Sequence, residues 1–204
     1  MYKRYFKRLM DVVCSLAFMV VFFWLYIIIA VLVRIMLGGP VIFAQERPGL
    51  NGRIFKVYKF RTMTNEKDSN GEFLPDEKRQ TKFGNLLRLT SLDELPQIYN
   101  IFKGDMSIIG PRPMMQMYLD NCTEEQLKRQ TVRPGLSGLA QVQGRNNLPY
   151  DERFAYDLEY INNITFWGDI KLILKTIGKV LKHEGVVGEE LPKLEEEKRE
   201  KVAQ

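Results

Sequence analysis

The sequence predicts an α+β protein, mostly helical, with a small β-hairpin and an N-terminal helix inserted in a membrane. Three observations carry this. Residues 12–33 form an uncharged, almost wholly apolar run. Two β-rich stretches, 41–43 and 54–60, flank Pro48-Gly49-Leu50-Asn51-Gly52, which is dense in turn residues. The remainder reads as short helices and loops, without the alternating strands and helices of a doubly wound sheet.

The apolar run extends roughly 33 Å as a helix, enough to cross a hydrocarbon core of about 30 Å. It is too long for a signal-peptide core, and no small-residue cleavage site follows it. Lys3, Arg4, Lys7 and Arg8 precede it, and Arg34, Arg47, Arg53, Lys56, Lys59 and Arg61 follow. Positive charge on both flanks assigns no orientation. A helix that enters one leaflet, bends and leaves on the same side would reconcile the flanks. Such a bend normally needs a proline or a comparable break. The run contains neither Pro nor Gly, so by itself it favours a straight span.

Beyond the hairpin, 65–79 is polar and charged and reads as a surface loop. Segments 83–89 and 95–102 read as short helices. Segment 123–130 reads as another, with Thr123 as cap and Gln126 completing a capping box. Residues 133–145 carry Gly135, Gly138 and Gly144 and read as an irregular loop. Segment 151–160 is helical by pattern. In 170–182, Ile170, Ile173, Leu174, Ile177 and Leu181 recur at helical spacing, with Lys171, Lys175, Lys179 and Lys182 on other faces. That basic amphipathic helix suits an anionic bilayer surface and equally a helix packed on the domain with solvated lysines. The chain divides into a membrane-inserted helix (1–38), a folded domain (39–184) and a charged tail (185–204).

Composition narrows the chemistry. The chain of 204 residues has room for one domain plus an anchor. Lys+Arg 30 against Asp+Glu 25 gives a net charge of +5, too small to demand nucleic acid but suited to an anionic lipid surface or substrate. Aromatics are not interleaved with the basic clusters, which also argues against nucleic acid. The single histidine, His183, excludes a histidine-based nucleophile system and a His-rich metal site. Cys14 and Cys122 are the only cysteines, and Cys14 lies in the apolar run, so a disulfide framework is excluded and a reducing compartment fits.

The candidate chemistry centres on Ser91-Leu92-Asp93-Glu94-Leu95-Pro96-Gln97. Ser91 and Glu94 have capping-box spacing, so the acids can simply satisfy backbone donors and favour the helix dipole. If Ser91 caps, Pro96 falls in the second turn, where it removes a hydrogen bond; if Asp93 caps, Pro96 falls in the tolerant first turn. The functional alternative gives the acids separate tasks. A carboxylate is a competent nucleophile towards phosphorus, and its neighbour can take a proton or hold a cation. Diphosphate chemistry needs charge neutralisation by Mg²⁺ and arginine. Gly110-Pro111-Arg112-Pro113 holds Arg112 on a stiff backbone, and a guanidinium can grip a phosphate with two bonds. Arg133 and Arg145 bracket the glycine-rich segment, and Arg88 lies close before the acids.

Several stretches match, in order, one known family: Phe6-Lys7-Arg8 with Asp11, Val41-Ile42-Phe43, Gln45, Arg47-Pro48-Gly49, and 55–63 from Phe55 to Met63. Arg88 with 91–97, Lys103-Gly104-Asp105-Met106-Ser107, 110–113 and Arg133-Pro134-Gly135 through Gly138, Gln141 and Gly144-Arg145 complete the set. Over residues 1–182 the chain resembles the small monotopic phosphoglycosyl transferases, the bacterial sugar transferases that include the PglC-type enzymes. The resemblance implies transfer of a sugar-1-phosphate from a UDP-sugar to polyprenyl phosphate, with release of UMP. It makes Asp93 the nucleophile and a Mg²⁺ ligand, Glu94 its dyad partner, and Lys59, Arg88, Pro111, Arg112, Arg133 and Arg145 the substrate-binding residues. It further implies a re-entrant membrane helix, amphipathic interface helices, and a domain on the cytoplasmic face of the bacterial inner membrane. Similar proteins usually carry a Pro midway along the membrane helix; here Phe23-Trp24 occupies that region.

Overall fold

The computed structural model describes residues 1–120, 122–144 and 148–182. Arg145, His183 and the tail predicted at 185–204 lie outside the described residues.

The apolar run forms the core of one long helix, α1 (Lys7–Leu37), which is not straight. Phe22 leaves the helical region, at φ −107° and ψ 15°, so the helix is broken without proline or glycine. Hydrophobicity drives α1 out of water, but its two arms are also tied to the polar domain. Before the break, Lys7 Nζ donates to Asp169 Oδ2 at 2.6 Å and Asp11 Oδ1 accepts from the Ile108 amide at 2.9 Å. Arg8 donates to the Ile101 and Phe102 carbonyls at 2.6 and 2.8 Å. Phe18 and Met19, midway along, pack on Phe55, Val57, Ile98, Ile101 and Met106. After the break, Tyr26 Oη donates to the Leu95 carbonyl at 2.8 Å, and Ile29, Val33 and Leu37 pack with Phe60 and Leu87. The other side, with Leu9, Val13, Val20, Phe23, Trp24 and Ile35, is exposed and apolar.

The predicted hairpin forms, its second strand at the expected 54–60 and its first longer than the β-rich stretch 41–43 indicates. β1 (Ile42–Pro48) pairs antiparallel with β2 (Ile54–Phe60), in the register Phe43↔Lys59. The 65–79 loop is pinned by a Met63↔Gln80 bridge and carries a single helical turn, α2 (Asp76–Arg79). The next helix, α3 (Lys82–Leu89), starts where Thr81 Oγ1 accepts the Gly84 amide at 3.0 Å. Gly84 is required there, since a Cβ would lie 1.8 Å from the Thr62 carbonyl oxygen.

A short 3₁₀ turn, Leu92–Glu94, leads into α4 (Gln97–Lys103), a later start than the pattern indicates. Pro96 explains it: with no amide hydrogen, it stands at the N-cap, where no intrahelical donor is lost. At the other end, Gly104 at φ 102° adopts the left-handed cap that ends a helix, and Arg8 also donates to the Ile101 and Phe102 carbonyls of the last turn. Asn100, fully buried in α4, stitches the helix to the hairpin. Its Oδ1 accepts from the Tyr58 amide at 3.1 Å and its Nδ2 donates to the Lys56 carbonyl at 2.7 Å.

The segment read as an irregular loop at 133–145 is largely regular. It contains β4 (Gly135–Ser137), which pairs in parallel with β3 (Ser107–Ile109), and α7 (Leu139–Gln143). Between β3 and β4 lie two single turns, α5 (Gln116–Leu119) and α6 (Glu124–Leu127); the Thr123–Gln126 capping box starts α6. The glycines serve backbone contact: a Cβ on Gly135 would stand 2.1 Å from the Gly110 nitrogen, and one on Gly138 2.1 Å from the Gly110 oxygen. Two helices finish the described chain, α8 (Tyr150–Asn162) and α9 (Phe166–Leu181). On α9 the amphipathic pattern sorts into two faces. Asp169 and Leu172 are buried against the domain, while Phe166, Trp167, Leu174, Ile177 and Leu181 form an exposed apolar stripe.

Replacing Asn100 by Ala leaves two hairpin backbone groups without their partners and opens a small void. We expect a loss of about 2–4 kcal/mol in thermal or denaturant unfolding of the detergent-solubilised protein.

Candidate active site

Asp93 and Glu94 sit in the 3₁₀ turn between α3 and α4. Ser91, at φ 57° and ψ 17°, is a left-handed hinge that reverses the chain after α3. Neither acid caps a helix: no side-chain cap bond forms at the 3₁₀ turn or at α4. The capping explanation is therefore set aside, and both carboxylates are available for other contacts. The turn is locked from the membrane side, because Tyr26 of α1 binds the Leu95 carbonyl directly after Glu94.

The two acids meet different surroundings. Glu94 Oε1 accepts from Lys59 Nζ at 3.0 Å and from Arg112 Nη2 at 2.8 Å, so two cations converge on one oxygen. β2 supplies Lys59, and the rigid turn after β3 supplies Arg112. Burial alone would raise the Glu94 carboxyl, but the charges of Arg112 and Lys59 outweigh it and hold the group well below the usual range. Asp93 is 7% exposed and has no hydrogen bond or ion pair among the described residues. Desolvation first, and then the adjacent Glu94 charge, push it from 3.8 to about 6, against the opposing pull of Lys59, Arg112 and Arg88. Near neutral pH the pair thus holds a permanently anionic Glu94 bound by cations and a largely ionised Asp93 with no partner of its own.

The structure gathers some of the predicted site residues and places others elsewhere. Lys59 and Arg112 contact Glu94 directly. Arg88, on α3, donates through Nε to Thr62 Oγ1 at 2.9 Å and adds its charge to the field on Asp93. Pro111 shapes the Arg112 turn, with its carbonyl accepting the Gly135 amide at 2.9 Å. Arg133 is not at the dyad: its Nε donates to the Gly104 carbonyl at 2.8 Å, at the opposite end of α4. A metal site is not built from protein side chains alone, since no cluster of three potential ligands occurs among the described residues.

Sequence reasoning missed residues that act at a distance. Tyr26, Thr62 and Asn100 fix the elements bearing the site, and Arg129 donates to the Arg112 carbonyl at 2.7 Å. None stands in a motif with the acids. Two offered a signal: Thr62 lies in the matched stretch 55–63, and Tyr26 places a hydroxyl in a mostly apolar run.

The fold and site together define a class: a membrane-associated protein that gathers basic side chains around a carboxylate pair, as sugar-phosphate chemistry requires. The chain belongs to the bacterial sugar transferase family, whose model matches residues 2–183. It is similar to the uncharacterized sugar transferase EpsL of Bacillus subtilis, with 45% identity over 180 residues, covering 88% of this chain and 89% of EpsL. It is also similar to the undecaprenyl-phosphate galactose phosphotransferase of Salmonella typhimurium, 37% identical over 199 residues, covering 89% of this chain and 42% of that protein. The UDP-glucose:undecaprenyl-phosphate glucose-1-phosphate transferase of Klebsiella pneumoniae is 38% identical over 184 residues, covering 85% of this chain and 40% of its own length. The chain thus spans nearly all of EpsL and about two fifths of the two longer enzymes.

A carboxyl raised on folding opposes stability once it must ionise. Below its unfolded value of 3.8 the folded Asp93 carries no penalty; as pH rises towards about 6 the penalty grows, and above that it is constant. Asp93→Asn should therefore unfold later than the native protein at pH 8, by on the order of 2 kcal/mol. The difference should vanish as the pH is lowered through the window from about 6 to 3.8, read from melting curves across that range.

Proposed function

We propose that this protein is a phosphoglycosyl transferase: it moves a sugar-1-phosphate from a UDP-sugar to polyprenyl phosphate and releases UMP. The observation that carries the reading is the asymmetric dyad, a buried, unpartnered Asp93 beside a Glu94 bound by Lys59 and Arg112. The names of the Salmonella and Klebsiella relatives, which specify undecaprenyl phosphate as acceptor, support the substrate class.

The chemistry proceeds in two displacements. An Asp93 carboxylate oxygen attacks the sugar-bearing phosphorus of the donor. A P–O bond forms to the aspartyl oxygen, the P–O bond to the bridging oxygen breaks, and UMP leaves with that oxygen and its electron pair. A phosphate oxygen of the polyprenyl acceptor then attacks the same phosphorus, giving polyprenyl-diphosphate sugar and returning Asp93 as the carboxylate. Arg112 and Lys59 steady the diphosphate charge while Glu94 keeps both cations aimed at the reacting phosphorus, and Arg88 stabilises the ionised nucleophile. Mg²⁺ fits the donor set. An ion that binds through one or two carboxylates plus substrate phosphates needs no protein cage, and Asp93 has a carboxylate without a protein partner. Asp93 would hold it, and the ion would supply neutralisation of diphosphate charge.

The broken α1 supports a re-entrant placement, with the domain on the cytoplasmic face of the inner membrane. Both arms and the middle of α1 bind the same domain, and a helix so tied would not carry one end across a bilayer. The exposed apolar faces of α1 and α9 would enter one leaflet, bringing the charged site to the lipid phosphate.

Incubation with labelled UMP and a UDP-sugar, without acceptor, should exchange label into the donor, and acid quench should trap a phosphosugar on the protein. Asp93→Asn should lose at least about a thousandfold in UMP release across a panel of UDP-sugars, while still melting cooperatively. Native-like turnover by that variant, free of deamidation, or strict dependence of exchange on acceptor would refute the covalent route. Tags at residues 1 and 204 should both report the cytoplasm, and labelling on opposite sides would defeat the re-entrant placement.

A further inference from the structure

Arg129 and Asp157 form the most enclosed ion pair in the described protein, with side chains 5% and 3% exposed. Arg129 Nε and Nη2 both donate to Asp157 Oδ2, at 3.0 and 2.7 Å. The same Nη2 reaches the Arg112 carbonyl at 2.7 Å, and the guanidinium lies over the Phe154 ring, 5.5 Å from its centroid. A buried ion pair gives little net stability, because desolvation of the charges offsets their attraction. Its place in the fold is better explained by what it orients. Here the fork of one guanidinium binds a carboxylate on α8 and the backbone of the residue whose side chain meets Glu94. The pair is distant from the acids in sequence and touches neither of them.

We infer that Arg129, itself oriented by Asp157, is a positioning residue that sets the Arg112 guanidinium against Glu94 through the Arg112 carbonyl. The inference rests on the transferase reading for what Arg112 does, and on the observed contacts for how it is placed. Prolines on both sides leave the Arg112 backbone few alternatives, so one hydrogen bond to its carbonyl selects the direction in which the side chain leaves. Lysine at 129 keeps the charge beside Asp157 but lacks the planar fork that serves two acceptors at once.

The test is a double-mutant cycle on UMP release by the full-length protein in detergent or nanodiscs. Arg129→Lys should lower kcat roughly tenfold or more, with cooperative melting retained. In an Arg112→Ala background the same change should cost almost nothing, because its effect passes through Arg112. A loss that came from general destabilisation would instead appear equally in both backgrounds. A native kcat in Arg129→Lys, or equal losses in both backgrounds, would overturn the inference. If Arg129→Lys fails to melt cooperatively, Asp157→Glu replaces it: both charges are kept and the guanidinium is displaced, so an unchanged rate there would overturn the inference equally. An inactive native protein would instead defeat the transferase reading.

Discussion

The constraint on which this structure depends is that a long apolar helix must be bound along one side by a polar domain while its other side stays apolar. α1 meets it by dividing its contacts. Lys7, Arg8 and Asp11 give the first arm charged and hydrogen-bonded ties to α4, β3 and α9. Ile29, Val33 and Leu37 give the second arm an apolar seat on the hairpin and α3. The interruption at Phe22 lies between these two modes of attachment, so the break follows from the two seats rather than from a local helix-breaking residue. The site stands at this junction, since Tyr26 of the second arm binds the backbone directly beyond the acids.

Two adjacent carboxylates in a dry setting cannot behave alike. Whichever one the cations approach becomes the stable anion, and its charge then makes ionisation of its neighbour harder. The fold decides the outcome by where β2 and the Pro-Arg-Pro turn deliver Lys59 and Arg112. Glu94 receives both, and Asp93 is left without a hydrogen-bonded partner among the described residues. A buried carboxylate with no hydrogen bond or ion pair, beside one with two, is a combination a purely structural turn would not need.

Short-range features were legible in the chain. The hairpin, the capping box at Thr123 and Gln126, the helices around 83–89 and 151–160, and the amphipathic face of α9 all follow from periodicity and turn chemistry. The glycine-rich stretch was misjudged as irregular because its glycines read as loop formers, whereas Gly135 and Gly138 exist to let β4 and the start of α7 approach the Gly110 backbone. Arg133 was grouped with the phosphate-binding arginines on proximity to those glycines, yet it serves the carbonyl end of α4. Capping and catalysis were equally compatible with the acids in sequence, because spacing cannot say whether a side chain turns towards its own backbone.

By itself the sequence determined that an apolar helix precedes a mostly helical domain, and that a carboxylate pair and a rigid arginine turn are its chemical features. Those properties depend on residues close together in the chain, where hydropathy period, φ restriction and turn preference act directly. Only the tertiary structure decided which carboxylate the cations bind, where the membrane helix breaks, and that Arg129 and Asp157 support Arg112. These outcomes depend on contacts between segments far apart in the chain, whose pairing is fixed by packing and leaves no local signature.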